Sequence, residues 1–479
     1  MNNQVKEKII SFLQDQISQA PFRTKAYVFD DEGKRNPTRN VFVRLKMYEK
    51  NFQQGQSEIR WLLITGLRGA GKTTLLAQLY NQTNALNTKK LFLSVDQVTQ
   101  TFGVSLKDVL EVYEELLEIS FERLTEPVFI FLDEAQYDKN WASLLKTIYD
   151  RSKKVFMVVT GSSALSLQSN PDVERRTIYE KLYPMSFTEY LKIKEGKFEV
   201  KGLSKRLKDI VFSSKTAMEV YKKLKDEETV ARKYWLGIDR TEINKYIEYG
   251  TLPFMVALKN EALIYDQIKK TLDRVISVDM AQIGQFTPDV LSSVHMLLYI
   301  MSGADKLSIN SLTKSMQITR PTLINILATL EKTEMVTRIY PYGSHIVQVR
   351  KPSKYLFTSP AFRSMYFNFI GSIQDKIIAK GKLWEDVVGL YFARIFQGRK
   401  NVAITYDSSE GGADFILKFP EDSIAVEVGS GEKSFKQLYQ TMKMPKIRCR
   451  YGLNISMSPL RLSDDQNKVN VPLSYFLLI

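Results

Sequence analysis

Gly66-Leu67-Arg68-Gly69-Ala70-Gly71-Lys72-Thr73 is the stretch whose residue types and spacing most plainly do chemistry. It fits G-x-x-x-x-G-K-[ST], directly after the apolar run WLLIT and directly before the helical pattern TTLLAQLY, the context that a phosphate-binding loop requires. Glycines let backbone N–H groups wrap a β-phosphate, and the helix N-terminus behind them adds positive potential. Lys72 is expected to reach the β and γ oxygens and Thr73 to ligate Mg²⁺, with Thr74 closing the binding set. The ligands so implied are ATP and Mg²⁺.

A second acidic motif completes the first. The run Val128-Phe129-Ile130-Phe131-Leu132-Asp133-Glu134 reads as a buried strand ending in two acids, a Walker B beside the Walker A. Asp133 is expected near Mg²⁺, acting through the metal's water shell, and Glu134 near the attacking water as general base or water-positioner. A third strand, VFMVVTGSS, ends in hydroxyls, so Thr160 or Ser162 is the candidate γ-phosphate sensor. Beyond it, Arg175 and Arg176 are candidate arginine fingers for a neighbouring subunit, which implies self-association.

Five segments must position these groups. Residues 1–57 read as a lead-in of a helix, a polar turn-rich stretch and a second short helix ending near Phe52. Over 58–191, short apolar runs alternate with helical segments, the pattern of a parallel sheet covered on both faces, hence an α/β core. Residues 192–290 are Lys-rich and helical by pattern, broken by Gly250 and Pro253, and read as a helical lid. Residues 291–353 read as helices followed by a hairpin, and 354–479 as mixed helix and strand ending in a strand near VPLSYFLLI.

These motifs, in this order, resemble the AAA-type ATPases of archaea and bacteria that carry a restriction-endonuclease-like C-terminal domain. TGLRGAGKTTLL, FLDEAQ with Trp141 soon after, VTGSSAL, the Arg175-Arg176 pair and YPMSFTEYL carry the likeness. YIEYGTLPFMV, KPSKYLFTSPAFR and GKLWEDVVGLYF extend it downstream. What the resemblance implies is a P-loop core with a helical lid, a winged-helix module and a nuclease-type fold.

The winged-helix reading also stands on residues. Leu307, Ile309 and Leu312 mark a short helix, Gln317-Ile318 a turn, and Thr319 a cap for a second helix whose Leu323, Ile326, Leu327 and Leu330 share one face. VTRIYPY and HIVQVRK are expected to form the wing across Gly343-Ser344. With DNA as partner, Arg320, Thr322 and Asn325 would enter a major groove and Arg338, Arg350 and Lys351 would meet phosphates. The alternative is a winged helix used for protein contacts inside the assembly.

In the last segment, Gly411-Gly412-Ala413-Asp414 and Ala425-Val426-Glu427-Val428-Gly429 make the strand-turn-strand on which PD-(D/E)xK nucleases hang their carboxylates, and Glu385 would add a third metal-holding acid. Gly429 stands where that signature has lysine, so a degenerate site with weak or absent cleavage is expected; Lys433, Lys436 or a second metal ion are the candidate substitutes. Function therefore reads as an ATPase acting on or regulated by DNA, against an ATP-controlled nuclease or a protein-remodelling switch.

Bulk composition fits. With 44% hydrophobic and 25% charged residues the chain is globular, and a net charge of +15 favours polyanions at low salt. One cysteine, Cys449, excludes an intrachain disulfide, and two histidines, His295 and His345, exclude a His-rich zinc site. The start MNNQVKEKIISFLQDQ has charges inside its apolar pattern, no stretch is long enough for a membrane span, and a cytoplasmic location is expected.

Overall fold

Five short apolar runs become the strands of one parallel sheet in the computed structural model: β1 Trp61–Thr65, β2 Lys90–Ser94, β3 Val128–Asp133, β4 Val155–Gly161 and β5 Ile178–Lys181, in the order β2-β3-β4-β1-β5. The structure describes residues 2–161, 171–284, 286–304, 307–368, 373–396, 398, 401–429, 431 and 435–479. Every residue of β1, β3 and β4 is buried, which is why these strands read as continuous rather than alternating apolar runs. Each fully buried Leu, Ile or Phe side chain contributes roughly 1.5–3 kcal/mol against the chain's conformational entropy.

The lead-in is structural. Its first helix, Asn3–Val28, buries Ile9 and Leu13 in the same core as Trp61, Leu63, Leu91 and Ile130, and a second helix spans Phe42–Gln53. The chain divides into two units between Tyr183 and Pro184. That division falls before residue 191, the core boundary expected from sequence, because the helix Phe187–Glu195 is fastened into the second unit. Phe187 stacks on Trp235 at 5.2 Å and its N–H donates to the Tyr391 hydroxyl at 2.9 Å, while Arg394 donates to the Pro184 carbonyl at 2.7 Å.

The second unit is organised on an eight-stranded sheet: β6 Val336–Pro341, β7 Lys354–Phe357, β8 Ala403–Tyr406, β9 Phe415–Lys418, β10 Ser423–Gly429, β11 Cys449–Ser456, β12 Arg461–Leu462 and β13 Lys468–Pro472. Their order is β12-β13-β11-β10-β9-β8-β6-β7. The segment expected as a lid has its apolar faces in this unit's core. Leu207, Val211 and Phe212 of the helix Leu203–Ser213, with Val220 and Leu224 of Ala217–Asp226, share it with Phe392, Tyr451 and Leu453.

Two strand expectations are corrected. HIVQVRK is not the partner of β6: His345–Arg350 is a helix entered at Ser344, and β6 pairs antiparallel with β7, Val336 opposite Phe357. The reason is burial. A strand here needs an inward face, and all four residues of β7 are buried whereas Ile346 and Val349 are exposed. At the C-terminal end the strand is β13, and Leu473–Phe476 of VPLSYFLLI forms a helical turn. Across residue 353, where the sequence reading set a boundary, β6 pairs with β8, Tyr340 opposite Thr405.

Candidate functional site

The phosphate loop runs from the end of β1 into the helix Lys72–Gln82. Gly66 has φ of 151°, and a Cβ there would collide with the Leu182 carbonyl, so only glycine lets β1 pass so close to the end of β5. Gly71 caps the helix at φ 95°, a left-handed turn that aims the first helical N–H groups into the loop. The Lys72 ammonium is buried inside the loop, donating to the Gly66 carbonyl at 2.8 Å and the Leu67 carbonyl at 3.2 Å. Leu67, Arg68, Gly69 and Ala70 complete the turn around it, and Thr73 and Thr74 follow in the first turn of the helix.

The strand β3 delivers its acids to the same place. Thr73 Oγ1 donates to Asp133 Oδ2 at 2.7 Å, and Thr160 Oγ1, from β4, donates to Asp133 Oδ1. The Glu134 N–H donates back to Thr160 Oγ1 at 3.2 Å. Glu134 holds a left-handed φ of 54°, a strained conformation for a residue with a side chain, and its carboxylate accepts from Gln136. Burial pushes the Asp133 carboxyl up from its ordinary value, opposed by the Thr160 and Thr73 hydroxyls and by the nearby Lys72 charge.

This donor set fits Mg²⁺. A hydroxyl and a carboxylate 2.7 Å apart, both hard oxygens beside a loop of backbone donors, are what that ion takes when it also keeps phosphate and water ligands. Bound there, the ion would supply charge neutralisation on the phosphates.

The expected sensor and finger residues divide. Thr160 has its hydroxyl bonds inside the acid pair, donating to Asp133 and accepting from the Glu134 N–H; Ser162 lies outside the described residues. Arg176 is paired with Asp150 at 2.9 Å, whereas Arg175 is exposed.

Sequence reasoning missed Arg39. From the polar turn of the lead-in, its buried guanidinium donates to the Ala70 carbonyl at 2.7 Å and the Tyr183 carbonyl at 2.7 Å, tying the phosphate loop to the segment after β5. Nearby, Arg44 makes a bidentate pair with Glu180 of β5 at 3.0 and 2.7 Å. No local pattern marks either arginine.

In the second unit, the helices Ile309–Met316 and Arg320–Lys332 meet at Gln317, which is left-handed, and Thr319 caps the second helix by accepting from the Thr322 N–H. Leu323, Ile326, Leu327 and Leu330 are buried, leaving Arg320 and Asn325 exposed and Thr322 half-buried. Arg338 donates to Ser353 at 2.9 Å and stacks 4.5 Å from the Tyr340 ring; Lys351 donates to Ser408 at 2.8 Å; Arg350 is exposed.

The C-terminal acids sit around a lysine. β9 and β10 are antiparallel with Phe415 opposite Val426, so continuing that register sets Asp414 opposite Glu427. Asp414 Oδ2 accepts from the Val428 N–H at 3.0 Å. Lys354 Nζ pairs with Glu385 and lies 3.3 Å from Asp414 Oδ1. Of the lysines expected to substitute at Gly429, Lys436 is exposed on the helix Lys436–Met442 and Lys433 lies outside the described residues. Among the described residues no three His, Cys, Asp or Glu converge as a metal ligand set, and no helix is long and apolar enough to cross a membrane.

Comparisons with known proteins agree with the first unit's geometry. Residues 58–191 match an AAA domain family, and residues 240–369 match a domain of unknown function, DUF8612. An uncharacterized protein of Methanocaldococcus jannaschii, MJ1637, is 33% identical over 437 residues, covering 90% of this chain and 87% of the relative. A second, MJ1544 of the same organism, is 24% identical over 220 residues, covering 46% of this chain and 42% of its own. Among solved structures, the Walker-type ATPase PABY2304 of Pyrococcus abyssi is similar at 17% identity and a TM-score of 0.38, over 71% of this chain and 99% of that one. The ORC1 protein of Aeropyrum pernix, solved in complex with DNA, is similar at 13% identity and a TM-score of 0.33, over 76% and 97%. With a P-loop, its acid pair and the family match in agreement, the first unit is an AAA-type ATP hydrolase domain, and the chain belongs to the family of the Methanocaldococcus jannaschii protein MJ1637.

Proposed function

We propose that this chain is a Mg²⁺-dependent ATPase that acts on DNA through its second unit, whose last segment is a nuclease-like fold that does not cut. The observation that carries the DNA reading is a groove of about 160 Å³ at the start of the helix Arg320–Lys332, lined by Arg320, Arg338, Arg350 and Lys351. Four cations around one small concavity, beside a capped helix that follows a helix and a tight turn, suit phosphates flanking a winged helix seated in a groove. The +15 charge of the chain works in the same direction.

In the first unit, Lys72 and the loop N–H groups hold the phosphates, Thr73 and Asp133 hold the ion, and Glu134 orients the water for in-line attack. Arg175 is the better finger, because Arg176 is occupied by Asp150, and a finger acting in trans requires self-association. A protein-facing second reading has its own observation: Ile346 and Val349, on the helix next to the groove, are 64% and 85% exposed.

Fluorescence anisotropy with duplex DNA over a salt series tests the proposal. Affinity should fall steeply with salt, and Arg320→Glu and Arg350→Glu should each weaken binding and lower the salt slope by about one. Negligible binding at about 50 mM salt would transfer the case to the protein-facing reading.

A further inference from the structure

We infer that Lys354 stands in the place of the cation in the second unit's carboxylate site, so that Glu385 and Asp414 share an internal ammonium and not a divalent metal. The inference rests on the nuclease-like reading of this segment and gives it a physical cause. A metal in such a fold would be shared by the acid on the long helix and the acid opening the hairpin. Here those two acids share Lys354 Nζ: Glu385 is ion-paired to it, and Asp414 Oδ1 lies 3.3 Å away.

The lysine is built in. It opens β7 opposite Ile339, its side chain is 6% exposed, and its ammonium lies 5.1 Å from the centre of the Phe415 ring. The other Asp414 oxygen is taken by the Val428 N–H at 3.0 Å. Glu427, the rung opposite Asp414, is buried as well. A divalent ion entering this cluster would meet a fixed positive charge, and expelling the ammonium would leave a buried cation without its acids. The residues present therefore do not fit a metal. The lysine absent at Gly429 is not simply relocated, since a lysine that steadies a nucleophile stands beside a metal, whereas Lys354 bridges the two acids that would hold one.

Removing the ammonium should uncover the site. Mn²⁺ is titrated into nucleotide-free, full-length protein carrying Asp133→Asn, which silences the first unit's ion site, and free Mn²⁺ is counted by electron paramagnetic resonance. This background should show no Mn²⁺ binding that Asp414→Asn removes. Adding Lys354→Met should tighten Mn²⁺ binding by about tenfold or more, and further addition of Asp414→Asn should abolish the gain. If Lys354→Met lowers the melting temperature, Mn²⁺ should restore it and sodium chloride of equal ionic strength should not. Mn²⁺ binding by the background chain that depends on Asp414 would overturn the inference, as would a folded Lys354→Met chain that gains no site. The readout involves no DNA, so a failed DNA-binding assay and a failed Mn²⁺ assay are separate results.

Discussion

The two acid sites of this chain each take an acid from the end of a strand, Asp133 of β3 and Asp414 before β9, and differ in what holds the acids. In the first unit Asp133 is held by two neutral hydroxyls, from Thr73 and Thr160. In the second, Glu385 and Asp414 are held by the ammonium of Lys354. Hydroxyl donors fix a carboxylate's direction and leave its charge unspent, which a metal needs. The shared ammonium fixes the direction of both acids and offsets one of their two charges as well. Both partners satisfy a buried carboxylate, yet only the first leaves a ligand.

The largest expected effect tests that difference in activity. Asp133→Asn should lower ATP turnover by about 10- to 100-fold through lost ion binding, whereas Asp414→Asn and Glu385→Gln should leave it near wild type. Comparable losses from both sets would mean that the comparison is drawn wrongly.

Stability should separate the units next. Arg363 and Asp386, both buried, form a bidentate pair in the second unit, and Arg363 also donates to the Met301 and Ser302 carbonyls at 3.1 and 2.7 Å. Arg363→Ala should cost about 3–5 kcal/mol by stranding Asp386, read from urea unfolding. In the first unit, Arg39→Ala should cost about 2 kcal/mol by leaving the Ala70 and Tyr183 carbonyls without this donor, and should weaken nucleotide binding. An Arg39 variant with wild-type stability and affinity would remove it from the site.

The smallest effect is a shift in pH dependence. Burial raises the Asp133 pKa and the two hydroxyls lower it, so Thr160→Val leaves burial less opposed and raises it further. Ion binding needs the carboxylate, so the acid limb of Mg²⁺-nucleotide binding should move to higher pH in Thr160→Val. The same sign governs folding: a raised native pKa favours the folded nucleotide-free state at low pH and loses that contribution as pH rises through the native value. Asp133→Asn should therefore raise the melting temperature at neutral pH and lose this advantage in acid.

Local chemistry was legible in the sequence and long-range chemistry was not. Gly66, Gly71, Lys72 and Thr73 each answer a requirement set within a few residues, and β3 declares itself by six consecutive buried residues ending in Asp133. The Thr319 cap and the face of Leu323, Ile326 and Leu330 were equally local. HIVQVRK misled because its β-branched residues suit a strand, while the choice of helix or strand depended on β7, which takes the place beside β6. Arg39 acts on a loop 31 residues away, and Lys354 meets Asp414 60 residues later, across the order β7-β6-β8-β9. Side chains brought together by sheet order leave no spacing to read.

Steady-state phosphate release by the full chain, with Mg²⁺ and with chelator, is the most direct test of the central claim that the first unit hydrolyses ATP with Glu134 orienting the water. Wild type should turn over only with Mg²⁺. Glu134→Gln should bind ATP as tightly as wild type and lose turnover by about 10²-fold or more, and Lys72→Ala should lose nucleotide binding. Phosphate release that survives Glu134→Gln at the wild-type rate would contradict the account.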